Sequence, residues 1–292
     1  MACSNETFDY RYEYMDFLQE NLNVYLSIIF MFCVLVVLNN LVVIIVITKT
    51  KLFRKKHNMF VLSLAVCDFL IGIVNAVQIL YFYNQSIFGD LVFLGFLLFS
   101  LILTSILNVA AVAVERSLAL VFMPLRYSSE VTTKRLSIAC IILWVVPLAT
   151  QPFAFFYNNP STTVYLLTTC CLFSMIATAV FYVLIYKNIC KSDERLAAMG
   201  VTDVKKSKKI LKTFSIITGL FIVSWSPHIC IGLISVSFPN IVCSFGKSYY
   251  VIFFITHLNS IAHSMINPLI YWCRLSDFRI AFSDTFGRCG VS

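Results

Sequence analysis

Seven uninterrupted apolar stretches, each long enough to cross a bilayer, leave this chain few folds to choose from. Roughly 20 residues of helix are needed to span the hydrocarbon core. The stretches run Val24–Thr48, Asn58–Tyr83, Leu91–Val121, Leu136–Phe156, Thr163–Cys190, Lys205–Ser237 and Ser248–Cys273. Their apolar character is continuous, without the alternation a membrane barrel requires, so the spans are helical. A helix also satisfies its own backbone groups where lipid offers no partner. Of the 292 residues only 12% are charged, about half the share of a soluble domain. Too few charges remain to cover a water-facing surface. The expected fold is an all-α integral membrane bundle of seven transmembrane helices, followed by a short amphipathic segment. Its parts are an extracellular tail over 1–22, the membrane domain over 23–274, and the amphipathic segment with a short tail over 275–292. The third and sixth stretches are long, and their ends are expected to project into water.

Orientation follows from the basic residues. Twenty of the 22 lysines and arginines fall in connections one–two, three–four and five–six or in the C-terminal tail, the densest group being Lys205–Lys212. Only Arg11 and Lys247 lie on the other side. The positive-inside rule then places the N-terminus outside and the C-terminus in the cytoplasm. The net charge of +8 reads as topology and contact with anionic lipid, not nucleic-acid binding. Residues 1–22 carry Glu6, Asp9, Glu13, Asp16 and Glu20 without a basic start and apolar core. No signal peptide is therefore expected, and the first span serves as the insertion signal.

Asn5 and Asn84 head Asn-x-Ser/Thr triplets on the outer side and are candidate glycosylation sites, whereas Asn159 is excluded by Pro160. Most of the 11 cysteines lie within spans as small apolar residues. Cys3, Cys170, Cys171 and Cys243 are placed toward the oxidising side, where some pairing is expected but no pair is singled out. Cys289 is a candidate for palmitoylation, a free cytosolic thiol being the alternative.

Several residues are out of place in lipid and so need a reason. The seventh stretch ends in Asn267-Pro268-Leu269-Ile270-Tyr271. Pro268 has no N–H and disrupts the bond one turn back, so the helix must kink or find another donor, and the adjacent Asn267 is a candidate. Asp68 sits halfway along the second span, where a charge costs about 2.5–3.5 kcal/mol on insertion scales. Its polar company is Asn40, Ser105, Asn108, His263, Ser264 and Asn267. These residues make either a hydrogen-bonded knot or a cation site, since hard cations take oxygen ligands. Glu115-Arg116 at the end of span three is either a membrane-edge anchor or a latch whose arginine changes partner, with Tyr186 and Tyr271 at a similar level. Phe221, Trp225 and Pro227 in span six combine an aromatic pair with a proline hinge.

Taken together, these residues resemble the rhodopsin-like family of G-protein-coupled receptors from about Asn40 to Phe282. Asn40 stands at the family's first-helix asparagine, and Leu64-Ala65-x-x-Asp68 resembles its second-helix motif. Ser105 falls where a serine helps the aspartate bind sodium, a role that extends to Ser264 and Asn267. Glu115-Arg116-Ser117 stands for the Asp/Glu-Arg-Tyr switch and is followed by Pro124-Leu125-Arg126-Tyr127. Trp144, Tyr186, Phe221-x-x-x-Trp225-x-Pro227 and Asn267-Pro268-x-x-Tyr271 match the motifs of helices four to seven. Asp277-Phe278-Arg279 opens what resembles the short eighth helix.

The resemblance implies a plasma-membrane receptor that passes an extracellular signal to a heterotrimeric G protein by outward movement of helix six, with arrestin as a further partner. It implies no cofactor beyond an allosteric sodium ion. The departures lie where ligands bind. Residues around Leu91 replace the cysteine at the outer end of helix three, the loop Tyr157–Thr162 is very short, and Thr178 stands in place of the fifth-helix proline. This trio resembles the branch of melanocortin, lysophospholipid, cannabinoid and adenosine receptors. Their ligand residues do not carry over: Gln78, Leu91, Leu94 and Gly95 occupy the acidic or paired-charge positions, Leu98 the aminergic aspartate and Ile261 the retinal lysine. The implied pocket, Gln78, Leu94, Leu98, Phe99, Ile102, Trp225, His228 and His257, is mostly apolar. It favours a hydrophobic, lipid-like or apolar peptide ligand. Ser207, in place of the common sixth-helix acid, is expected to weaken the resting latch and raise basal activity.

The rival class is a secondary carrier or ion channel that uses Asp68 as its ion site. Carriers are often built from repeats with paired broken helices, and no repeat relates the halves of this chain. No metal-ligand cluster or nucleophile–base pair marks an enzyme.

Overall fold

The computed structural model describes the backbone of residues 9–56, 58–83, 92–157, 160–198, 205–245, 247–274 and 276–287. Side chains are described over 23–56, 58–81, 93–151, 165–191, 219–237 and most of 238–287. Asn5, Asn84, Leu91, Cys3 and Cys289 lie outside the described residues, as do the side chains of Cys243, Ser207 and Lys205–Lys212.

Among the described residues eight helices of more than ten residues carry the fold: α1 Asp9–Lys49, α2 Asn58–Tyr83, α3 Val92–Ser117, α4 Thr133–Tyr157, α5 Pro160–Ala198, α6 Lys205–Ser237, α7 Lys247–Arg274 and α8 Ser276–Phe286, with a short helix Pro239–Phe245 between α6 and α7. Among the described residues six are long and apolar enough to cross a membrane. The remaining span, α7, carries a run of polar residues from Thr256 to Asn267 on its inner side. The first helix starts at Asp9, well inside the segment expected to be tail. The α4–α5 connection is as short as the sequence indicated, since α4 ends at Tyr157 and α5 begins at Pro160. Beyond Ser117 the third helix widens into a π-helical turn over Leu118–Phe122, closed by Met123 N–H donating to the Leu118 carbonyl at 2.9 Å. A single helical turn, Tyr127–Glu130, follows in the loop.

Helices α1 and α7 touch and close the ring, while α3 packs against α2, α4 and α5. Apolar side chains on the outer faces stay exposed, among them Met31 and Leu38 of α1, Ile141 and Val145 of α4, and Phe173 and Ile176 of α5. In water such a surface would drive association; in lipid it is the ordinary exterior. Polar side chains turn inward instead, with Asn40, Asp68, Thr104, Asn108 and Gln151 each 0% exposed. Close approach of α1 and α2 depends on Gly72. A Cβ there would lie 2.8 Å from Val37 Cγ2 and 3.2 Å from the Cys33 carbonyl, the small-residue contact by which membrane helices approach.

Candidate functional site

Two prolines interrupt the hydrogen-bond ladders of α6 and α7, and each interruption is repaired from a neighbouring helix. Pro268 has no N–H to offer the carbonyl of Ser264 one turn back. The buried Asn40 of α1 donates to that carbonyl from Nδ2 at 3.0 Å. Asn267 was the sequence candidate for this task, and here the structure corrects it: Asn267 Nδ2 donates to Asp68 Oδ2 at 3.0 Å. Pro227 likewise leaves the Val223 carbonyl without its helical donor. Asn259 Nδ2 of α7 donates to the carbonyls of Val223 and Ser224 at 3.3 and 3.1 Å. Sequence reasoning did not single out Asn259. The signal, an amide in a membrane span beside a proline helix, becomes specific only once the register of α6 against α7 is known.

At the centre, Asp68 Oδ1 accepts Ser105 Oγ at 2.9 Å and Ser264 Oγ at 3.0 Å. With Asn267 on Oδ2, one carboxylate ties α2, α3 and α7 together through neutral donors. The four residues that the resemblance assigns to one site, Asp68, Ser105, Ser264 and Asn267, therefore converge. The other three of the polar company go elsewhere: Asn40 serves the Ser264 carbonyl, Asn108 Nδ2 donates to the Thr104 carbonyl at 2.8 Å, and the His263 ring lies 5.4 Å from that of Phe221. Asn267 Oδ1 is buried with no protein partner among the described residues, so an amide oxygen accompanies the carboxylate and two hydroxyls.

Above this centre Phe221 and Trp225 are buried in one cluster with Leu64, Ile106, Cys171 and Met175. The pairing expected of Cys170 and Cys171 is corrected here. Both are free thiols on α5, roughly 15 Å along the axis from its start at Pro160. Thr178 is fully buried on the same helix.

The end bearing the basic loops holds a chain of polar contacts. Glu115 grips Arg116 with Nε–Oε2 at 2.5 Å and Nη2–Oε1 at 2.7 Å. Tyr127 donates its hydroxyl to the same Glu115 Oε1. Burial first, then the hydrogen bond to Glu115 and its charge, push the Tyr127 phenol above its ordinary range, so it remains a protonated donor. Lys56 Nζ donates to the Ser128 carbonyl at 2.8 Å and lies 5.7 Å above the Tyr127 ring. Its neighbour Lys55 pairs with Asp277 of α8 at 2.6 Å. Asn188 of α5 donates to the Leu120 carbonyl in the widened turn at 2.7 Å. Ser117, where a tyrosine is usual, bonds back to the Ala113 carbonyl at 2.9 Å. The two tyrosines considered as alternative partners for Arg116 differ: Tyr186 is 56% exposed, whereas Tyr271 is buried with Val43, Ile47 and Phe278.

Toward the other end, His228 and His257 face each other with ring centroids 5.6 Å apart, both against Phe253. His228 Nδ1 lies 3.5 Å from Thr256 Oγ1. Leu94, Leu98 and Ile102 pack against Cys67, Ile71, Val74 and Leu101 between α2 and α3. Phe99 and Gln78 are half-buried.

A closed ring of seven helices, with a buried carboxylate at its centre and a carboxylate-held arginine at one end, defines a signalling receptor of the membrane. Residues 39–271 match the family described as 7 transmembrane receptor (rhodopsin family). The chain belongs to that family, whose members are G-protein-coupled receptors, not enzymes. It is similar to melanocortin receptor 5 of Rattus norvegicus, with 28% identity covering 85% of this chain and 79% of the relative. It is similar to adenosine receptor A2b of Gallus gallus at 27% identity, covering 91% and 92%. A Gq-coupled rhodopsin of Mizuhopecten yessoensis is 26% identical over 84% of this chain, which spans 56% of that rhodopsin's length. The carrier or channel reading gains no support from these relatives.

Proposed function

We propose that this receptor sits in the plasma membrane with its N-terminus outside and passes the binding of an extracellular hydrophobic or lipid-like ligand, or an apolar peptide end, to a heterotrimeric G protein. Ligand binding shifts an equilibrium between two shapes of the bundle. In the resting shape Glu115 holds Arg116, and the Tyr127 hydroxyl bonds the same carboxylate. In the active shape α6 turns outward about Pro227, and Arg116 leaves Glu115 for the transducer side, where Tyr186 and Tyr271 are candidate partners. The observation that carries the reading is the joint presence of the Glu115–Arg116 clasp and the Asn259 repair of the Pro227 break. One is a latch and the other a hinge, on the helices that must separate.

Sodium fits the centre as an allosteric ion. Asp68, the hydroxyls of Ser105 and Ser264 and the amide oxygen of Asn267 form an all-oxygen set suited to a hard cation. Ligand chemistry is argued from the apolar lining Leu94, Leu98, Phe99 and Ile102, with Gln78, His228 and His257 as polar anchors and Trp225 as the floor. Asn5 and Asn84 are proposed to carry glycans, Cys289 a palmitoyl chain, and the active shape to recruit arrestin as well. A screen of lipids and peptides read by G-protein dissociation tests the proposal. At least one hydrophobic ligand giving a saturable response is expected. A response confined to hydrophilic amines would overturn the ligand class.

A further inference from the structure

A cavity of about 690 Å³ opens beside the widened turn at the basic end, between α3, its loop and the start of α4. Its volume falls within the range of small-molecule sites, about 300–1,000 Å³. Its walls combine Leu118, Phe122, Met123 and Leu136 with two arginines, Arg126 and Arg135. Glu130, also in the wall, takes Arg135 Nη1 at 3.2 Å. No side-chain partner engages Arg126 among the described residues, and it is exposed, next to a Leu125 that is 96% exposed.

We propose that this cavity binds the headgroup of an anionic phospholipid from the cytoplasmic leaflet. The assignment rests on the orientation proposed above, which sets the cavity at the membrane boundary where anionic lipid concentrates. Arg126 and Arg135 supply planar, permanently charged forks for phosphate oxygens. Apolar residues beside them accept the first part of the acyl chains. Beyond Arg135, Ile138, Ile142 and Val145 follow at helical spacing on the same face of α4, and all three are exposed. The stripe gives a chain a track out of the pocket and into the bilayer. A soluble peptide or free phosphate would leave it bare.

The site has a route to the switch. Arg126 precedes Tyr127, whose hydroxyl holds Glu115, which in turn holds Arg116. A bound lipid would brace the loop and strengthen that resting arrangement.

The test is lipid binding to the full-length receptor in neutral detergent, read by native mass spectrometry with dioctanoyl phosphatidylserine, dioctanoyl phosphatidylcholine and glycerophosphoserine. Phosphatidylserine is expected to bind at least fivefold more tightly than phosphatidylcholine, and glycerophosphoserine, which lacks chains, not measurably. The double variant Arg126→Gln/Arg135→Gln should erase the preference. Glu130→Gln, which removes the one acid, should tighten binding two- to threefold. A control, Lys187→Gln/Lys191→Gln, removes the same charge at the same end and should leave the preference intact. Equal loss in control and test variants, or binding of glycerophosphoserine alone, would overturn the proposal. Because no transducer takes part, failure here is distinct from failure of the receptor reading.

Discussion

Asn259 of α7 donates to the carbonyl that Pro227 of α6 leaves without a helical donor, at 3.3 Å, and to the next carbonyl at 3.1 Å. The hinge of the sixth helix is thus clasped by the seventh. Asn40 does the same for the Pro268 break at 3.0 Å. In a membrane an unpaired carbonyl finds no water, so the amides keep the two breaks from becoming liabilities. A clasp made by a side chain is also one that can open.

Replacement of Asn259 by leucine, close in size but without donors, leaves the Val223 carbonyl, which Pro227 already deprives of its helical donor, without the amide that serves it. Loss of a buried partner costs about 1–3 kcal/mol. A melting temperature several degrees lower is expected, with basal nucleotide exchange raised because the resting position of α6 is held less firmly. Unchanged melting and unchanged exchange would show the clasp to be incidental.

Tyr127→Phe removes only the hydroxyl that bonds Glu115. A hydrogen bond to a charged group contributes about 1.5–3 kcal/mol, so basal G-protein activation should rise severalfold with surface expression preserved. A fall in basal activity would mean that Tyr127 supports the active shape instead.

Asp68→Asn keeps the volume and removes the charge at the centre. If the oxygen set takes sodium, salt dependence of ligand affinity should vanish in the variant. A salt response equal to the wild type would leave Asp68 as a structural knot. Asp68→Ala is expected to be worse for stability, because Ser105, Ser264 and Asn267 would all lose their acceptor.

Gly72→Val should lower yield and thermal stability by about 1–3 kcal/mol, since its Cβ alone would meet Val37 at 2.8 Å. Gly95→Ala is the matching control, with nothing within 4 Å of the added carbon. Equal behaviour of the two variants would contradict close packing of α1 on α2.

The sequence disclosed what depends on composition and on local spacing. Seven spans were legible because lipid demands long apolar runs. That Asp68 needs polar company was legible because a charge is costly in lipid; that the company is Ser105, Ser264 and Asn267 came from the family resemblance, since cost alone also grouped Asn40, Asn108 and His263, which bond or pack elsewhere. What was not legible depends on register between helices. Asn267 stands beside Pro268 in sequence, yet the amide that serves the broken ladder comes from Asn40, 224 residues from Ser264 along the chain. Tyr127 belongs to a loop, where hydropathy says nothing about which carboxylate it reaches.

The central claim is that the clasp at Arg116 gates a G protein, and ligand-free nucleotide exchange tests it most directly. Purified receptor in nanodiscs, mixed with heterotrimers of each main Gα class, should accelerate GTPγS binding above empty nanodiscs for at least one class. Arg116→Ala, equally folded by melting temperature, should return the rate to that of empty nanodiscs. A wild-type rate indistinguishable from empty nanodiscs in every class, or a variant as active as the wild type, would contradict the account.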